Sequence, residues 1–261
     1  MSDMYNNFQK FFEIVEADTS ELLEIVYRIR YQVFCVEHDF LDASQYPDKK
    51  EKDNCDDHSS HVLLRFRSSG DFIGSVRLIL FNPLQPEKLF PVEMYTQLDL
   101  TLCNINALPR QQIAEISRSV IVKQFDRRRG DRRGSRAEDA AQENRRSSDR
   151  RFTDNNAGRE RRSSDRRSTP HLSLILMAAV LRMSVKHNIK HWISAKDPAL
   201  NRLLGYNGLS FSPIGPPVNY HGIRRPYYAN VEEMLNRMYK EHHDAWEVLT
   251  DCGKYSPIQS N

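Results

Sequence analysis

CxxC pairs and long apolar runs are missing from this chain of 261 residues. Its four cysteines, Cys35, Cys55, Cys103 and Cys252, are scattered with no CxxC spacing, which argues against a disulfide framework and fits reduced thiols. The stretch from Met1 to Lys10 is polar and shows no basic-then-apolar signal pattern. The longest apolar run, Leu172 to Leu181, is interrupted by Ser173 and reaches only half of the ~20 residues a membrane helix needs. No membrane span is expected, and the reading is of a cytoplasmic protein. Cys55, Asp56, His58 and His61 do not make a ligand set of recognisable spacing, so no metal is expected.

Apolar residues make up 39% of the chain and aromatics 10%, enough for a sizeable core. The net charge of +3 hides an asymmetry. Between Asp126 and Thr169 there are 15 Arg against 9 Asp plus Glu, a net of +6, which leaves −3 for the remainder. The segment repeats a short unit, as in Arg145-Arg146-Ser147-Ser148-Asp149-Arg150-Arg151 and Arg161-Arg162-Ser163-Ser164-Asp165-Arg166-Arg167. Such composition cannot bury enough surface to offset its ordering entropy, so residues 126–169 are expected to be a disordered insert. It divides one domain into an N-terminal half, 1–125, and a C-terminal half, 170–261. Three roles suit it: an inert linker, a dock for an acidic partner, or a phosphate-binding arm. Its interleaved acids and its single aromatic, Phe152, weigh against nucleic acid.

Elsewhere strand and helix signals alternate. Phe8 to Val15 reads as a strand, and Ser20 as the cap of a helix running to Phe34. Residues 38–57 read as a polar loop. His61 to Arg67 and Phe72 to Phe81 read as a hairpin turning at Ser68-Ser69-Gly70-Asp71. A short helix over 93–98 and a strand over 113–123 precede the insert. A helix from Pro170 to His187 and a strand from His191 to Ala195 follow it. Asp197-Pro198 then starts a helix that Gly205 ends. Leu209 to Pro213 and Arg224 to Ala229 read as a hairpin around a Gly/Pro-rich loop, and Val231 to Leu249 as a closing helix. This order predicts an α/β (α+β) fold with helices flanking a central mixed sheet.

Charges interrupt two runs that otherwise read as buried strand. Arg77 lies in Phe72 to Phe81, and Glu115 with Arg118 in Ile113 to Val122. With Asp53 and Asp56 they make a five-residue charged cluster, tolerable in an interior only if its members pair. Side chains alternate along a strand, so Glu115 and Arg118 would face opposite sides. An extra residue bulged at Ile116 or Ser117 would bring them together, splay the strand and free backbone N–H groups. His61 is expected to begin a strand beside the cluster. Cys35 reads as a buried helix thiol rather than a nucleophile, and His242-His243 as solvent-facing.

Arg30 to Phe34, Asp53 to Asp56, His61, Gly74 to Arg77 and Glu115 to Arg118 together resemble the motif series of acyl-homoserine-lactone synthases. They equally resemble the long-chain N-acyl amino acid synthases; both are branches of the GNAT acyltransferase superfamily. The resemblance spans residues 25–122. Pro213 to Pro226 is similar to a signature of acyltransferases associated with PEP-CTERM/exosortase systems.

This resemblance implies a GNAT-type fold whose bulged strand splays from its neighbour to admit a phosphopantetheine arm. It implies an acyl thioester, on acyl carrier protein or coenzyme A, as co-substrate. No cofactor would be permanently bound, and an amine would be the acceptor. Catalytic roles would fall to Glu115 as proton acceptor, and to Ser117 and Arg118 beside the oxyanion. Arg30, Phe34, Phe40, Asp53, Asp56, Arg77 and Ser119 would bind substrate. Phe34, Phe40 and one face of the helix over 172–183 would line an acyl channel. Phe40 replaces a tryptophan usual in the lactone synthases, which favours the amino-acid-acylating branch over an autoinducer synthase. A non-catalytic acyl-carrier or nucleic-acid binding module is the alternative from another class.

Overall fold

Met4, Tyr5, Phe8, Phe11 and Phe12 recur at helical spacing, and Ser2 accepts a bond from the Tyr5 N–H as N-cap. In the computed structural model, which describes residues 1–125, 171–220 and 222–256, the chain accordingly opens with α1 (Asp3–Phe11), and β1 (Phe12–Glu16) follows it. The expected strand from Phe8 is thus half helix. The run of aromatics suits either period, and the cap decides. Thr19, one residue before the expected cap, closes the start of α2 (Ser20–Tyr31). A π-helical turn, Gln32–Glu37, prolongs α2 and carries the buried Cys35. Phe40 and Leu41 then fold back so that both their N–H groups reach the Phe34 carbonyl.

The hairpin of β2 (Ser59–Phe66) and β3 (Phe72–Leu80) forms as expected. A short α3 (Pro91–Tyr95) and β4 (Ile113–Ile121) complete the first half. The Arg-rich segment lies outside the described residues, as does the expected helix start at Pro170. The chain resumes with α4 (Leu172–Lys186), whose residues Leu174 to Leu181 are all buried. Then come β5 (His191–Lys196), α5 (Pro198–Gly205), the two-residue strands β6 (Ser212–Pro213) and β7 (Val218–Asn219), and β8 (Ile223–Asn230). The expected single closing helix is two, α6 (Val231–Glu241) and α7 (His243–Thr250), because His242 leaves helical geometry at φ −139°. His243 faces solvent and His242 only half does.

The strands order β1-β2-β3-β4-β5-β8-β6, with β7 on β8. Every pairing is antiparallel except β4 with β5. The core unites one sheet face with α1, α4, α6 and α7, and α2 covers part of the other. Two irregularities in β4 position everything that follows. Its parallel pairing to β5 stops at Glu115↔Ile193, so the two strands part beyond that point. Against β3, Val120 pairs with Ser75 and Ser117 with Arg77, so Arg118 and Ser119 together oppose Val76. The bulge therefore sits at Arg118 and Ser119, just beyond the expected Ile116 or Ser117. Arg118 absorbs it at φ 49°, a left-handed conformation that costs a non-glycine residue free energy.

Candidate active site

The parting of β4 and β5 opens a cleft of about 680 Å³. Every sequence-predicted site residue except Arg30 and Asp56 lines it: Phe34, Phe40, Asp53, Arg77, Glu115, Ser117, Arg118 and Ser119. Arg30 and Asp56 lie directly behind. The alternation of β3 and β4 puts Arg77, Glu115 and Ser117 on one sheet face, and the bulge turns Arg118 toward them.

Three arginines and three carboxylates close into a ring. Arg30 pairs with Glu51 and with Asp56 at 2.6 Å. Asp56 also takes Arg77 at 2.8 Å, and Arg77 reaches Asp53 at 2.6 Å. Asp53 meets Arg118 at 2.9 Å, and Arg118 returns to Glu51 at 3.0 Å. Signs alternate around the circuit and sum to zero. Arg30, Glu51 and Arg77 are at most 1% exposed, so no other arrangement of these ions would be tolerable there. The ring binds the polar loop to α2, β3 and β4; Glu51 adds a backbone bond from its N–H to the Tyr27 carbonyl at 3.0 Å. Burial alone would push Asp53 up, but Arg77 and Arg118 outweigh it and hold the carboxyl well below the usual range. Asp56 is lowered in the same way by Arg30 and then Arg77. His61 lies inside β2, not at its start, with its Nε2 at 3.6 Å from Asp56. Burial keeps it neutral, its pKa down to about 4.

Glu51 was not among the expected site residues. It sits in Lys49-Lys50-Glu51-Lys52-Asp53, which reads as a solvated loop. Glu115 took its place in the expected cluster, and the structure puts Glu115 outside the ring. Its carboxylate accepts the Val92 N–H at 2.8 Å, from α3. Burial pushes its pKa up to about 8, against the lowering effect of that bond and of Arg77. A carboxyl titrating there exchanges a proton readily near neutrality. The Ser117 hydroxyl accepts from Arg77 Nε at 3.0 Å, which ties the bulged strand to the ring. The Arg118 guanidinium lies 5.5 Å from the Phe34 ring centroid.

The rest of the lining was not legible in advance. Tyr220, from the β7–β8 turn, stacks on Tyr95 with centroids 4.9 Å apart, and Arg224, at the start of β8, lies 5.9 Å from the Phe40 ring. These contacts bring the Gly/Pro-rich loop over the cleft. On the other sheet face, Ser173 and Met177 of α4, Ser194 and Lys196 of β5, and Leu200 and Leu204 of α5 line it. Only the first turns of α4 therefore border the cleft, and the remainder packs the core. Among the described residues no three His, Cys, Asp or Glu side chains gather as a metal site. No described helix is long and apolar enough to cross a membrane.

Residues 29–133 match the family model of the acetyltransferase (GNAT) domain. No curated protein matches the chain. Among solved structures, the CoA-dependent acyl-homoserine lactone synthase BjaI, with SAM and isopentyl-CoA, is 19% identical at a TM-score of 0.52, with 95% of this chain and 90% of that chain covered. TofI, in a ternary complex with an inhibitor and MTA, is 16% identical at 0.54, with 90% and 96% covered. FeeM, an N-acyl amino acid synthase from uncultured soil microbes, is 11% identical at 0.51, with 88% and 96% covered. At these identities the likeness is one of fold. The mostly antiparallel sheet with flanking helices matches GNAT-like acyltransferase folds, and with the domain match this supports an acyltransferase.

Proposed function

We propose that the protein is an N-acyltransferase that moves a long-chain fatty acyl group from a phosphopantetheine thioester to the amine of an amino acid or similar acceptor. The observation that carries this reading is Glu115, a carboxyl buried against α3 and titrating at about 8, on the wall of a cleft that opens where β4 leaves β5.

In this reading the donor arm enters the splay and the acceptor approaches Glu115 from the ring side. Glu115 takes a proton from the acceptor ammonium, directly or through a water, and the freed amine attacks the thioester carbon. Backbone N–H groups around Ser117 to Ser119, displaced from the ladder by the bulge, stabilise the oxyanion. The pantetheine thiol leaves with a proton, and no covalent enzyme intermediate forms. Arg77 and Arg118 are neutralised by the ring, so their part is to hold the loop over 38–57 and the bulge in place. Phe34, Phe40, Met177, Leu200 and Leu204 offer apolar surface for the acyl chain.

A donor on acyl carrier protein or coenzyme A puts the reaction in the cytoplasm. The likeness of Pro213 to Pro226 to exosortase-associated acyltransferases, together with Phe40, favours an amino acid over S-adenosylmethionine as acceptor. Mass spectrometry of lipid extracts from cells overproducing the protein tests the reading. A new long-chain amide, absent with Glu115→Gln, is expected. Identical extracts from both strains would contradict it.

A further inference from the structure

Two polar side chains on β5 have no counterpart in the scheme above. Ser194 and Lys196 follow Trp192 on the face of the sheet that carries α4 and α5, and both line the cleft. The Ser194 hydroxyl is buried with no hydrogen-bond partner among the described residues. Lys196 is 9% exposed, burial lowers its titration, and no salt bridge reaches it among the described residues. Its Nζ lies 3.0 Å from the Phe211 ring centroid and 5.3 Å from that of Tyr227. A buried unpaired ammonium is costly, and unpartnered buried polar groups call for an explanation. The rings favour the cation. Desolvation outweighs them and pushes the amine well below the usual lysine range, toward a free base that is a nucleophile.

Register fixes the level at which Lys196 stands along the opening. The β4–β5 pairing closes at Glu115↔Ile193. Lys196 and Arg118 each lie three residues beyond that point, on opposite walls. At about 3.3 Å per residue both are roughly 10 Å up the opening. Lys196 is therefore level with the bulge, where the proposed function seats the thioester carbonyl.

We propose that Lys196 is a self-acylation site, which takes the acyl group of a long-chain acyl thioester when no acceptor amine is present. This rests on the proposed function, since it needs a donor in the splay. The Nζ lone pair forms a bond to the thioester carbonyl carbon, the C–S bond breaks, and the proton released from nitrogen leaves on the pantetheine thiol. The product is a neutral amide, suited to the buried setting, with its chain among Met177, Leu200 and Leu204. The modified protein carries its own acyl chain in the donor's place and is blocked. Acceptor amine competes for the same carbonyl and protects. The rival nucleophile in the cleft is Cys55, whose thiol burial raises above the usual range.

The test incubates the full chain with palmitoyl-CoA, and separately with palmitoyl-acyl carrier protein, without acceptor. Donor binding, intact mass, hydroxylamine treatment and peptide mapping are followed. One hydroxylamine-resistant palmitoyl group per chain, mapped to Lys196 and paralleled by loss of later transfer, is expected. Lys196→Met and Lys196→Gln should bind donor and gain no adduct. Donor binding without an adduct would overturn self-acylation and leave the acyltransferase reading standing. So would a hydroxylamine-labile adduct on Cys55 or an adduct elsewhere. Failure to bind either donor would overturn both.

Discussion

Glu115 and Glu51 are both buried glutamates near arginines, yet their settings give them opposite chemistry. Glu51 is held by Arg30 and Arg118 and serves the scaffold. Glu115 has a backbone N–H and little else, so burial prevails and its pKa rises to about 8. As pH rises through that value the carboxyl ionises and becomes able to accept a proton. Transfer by the wild-type protein should therefore increase toward pH 8, and kcat for Glu115→Gln should fall about 10²–10⁴-fold with no such rise. A pH–rate profile of both proteins checks this; a flat wild-type profile would remove Glu115 from the chemistry. Glu51→Gln should instead lower stability by roughly 3–5 kcal/mol, because it leaves the ring one carboxylate short around the fully buried Arg30. Chemical denaturation reads that loss, and the midpoint should barely move when the exposed Lys186–Glu16 pair is broken. The ring was only partly legible. Arg30, Arg77, Asp53, Asp56 and Arg118 stand out because ions interrupt apolar runs or recur in a recognised motif. Glu51 is one charge among six in a row, Asp48 to Asp53, and nothing local marks it as the buried one. Lys196 ends an apolar strand, where lysine usually reaches solvent.

At the scale of elements, β4 does most to shape the site. A bulge was expected because Glu115 and Arg118 are three apart. Its true position, at Arg118 and Ser119, depends on which residue tolerates φ 49°, and that is a matter of tertiary context. Strands with β-branched runs and helices with a capping residue were readable for the same reason they form: local periodicity and local hydrogen bonds agree. The N-terminal helix was missed where aromatics suit both periods, and the break at His242 has no proline or glycine to announce it. Gly74 shows how closely β3 follows the bulge. A Cβ there would lie 2.6 Å from the Val120 carbonyl oxygen, across the strand pair. Gly74→Ala must push β3 and β4 apart beside the bulge. It should cost about 1–3 kcal/mol in thermal or chemical unfolding, and should depress transfer more than a remote substitution of equal stability cost. A stable, fully active Gly74→Ala would show that the bulge does not depend on this close approach.

The molecule as a whole brings one cleft to both faces of its sheet. Arg77, Glu115 and Ser117 border it on one face, and Ser173, Met177, Ser194 and Lys196 on the other, with the β4–β5 parting as the passage between. Residues from Phe34 to Arg224 contribute to one wall or another, a span no local pattern reveals. The motif series disclosed the ring side, because its charges are conspicuous. The opposite side is built from serine, methionine, leucine and one lysine, which look like ordinary core. The central claim is that a thioester and an amine meet in this passage under the control of Glu115. Its most direct test is amide formation in vitro, with purified protein, a palmitoyl thioester and a mixture of free amino acids, read as thiol release and amide mass together. The account predicts stoichiometric thiol and N-palmitoyl amide from the wild type, and a large loss of both from folded Glu115→Gln. Equal amide yields from the two proteins, or none from the wild type with either coenzyme A or acyl carrier protein as donor, would contradict it.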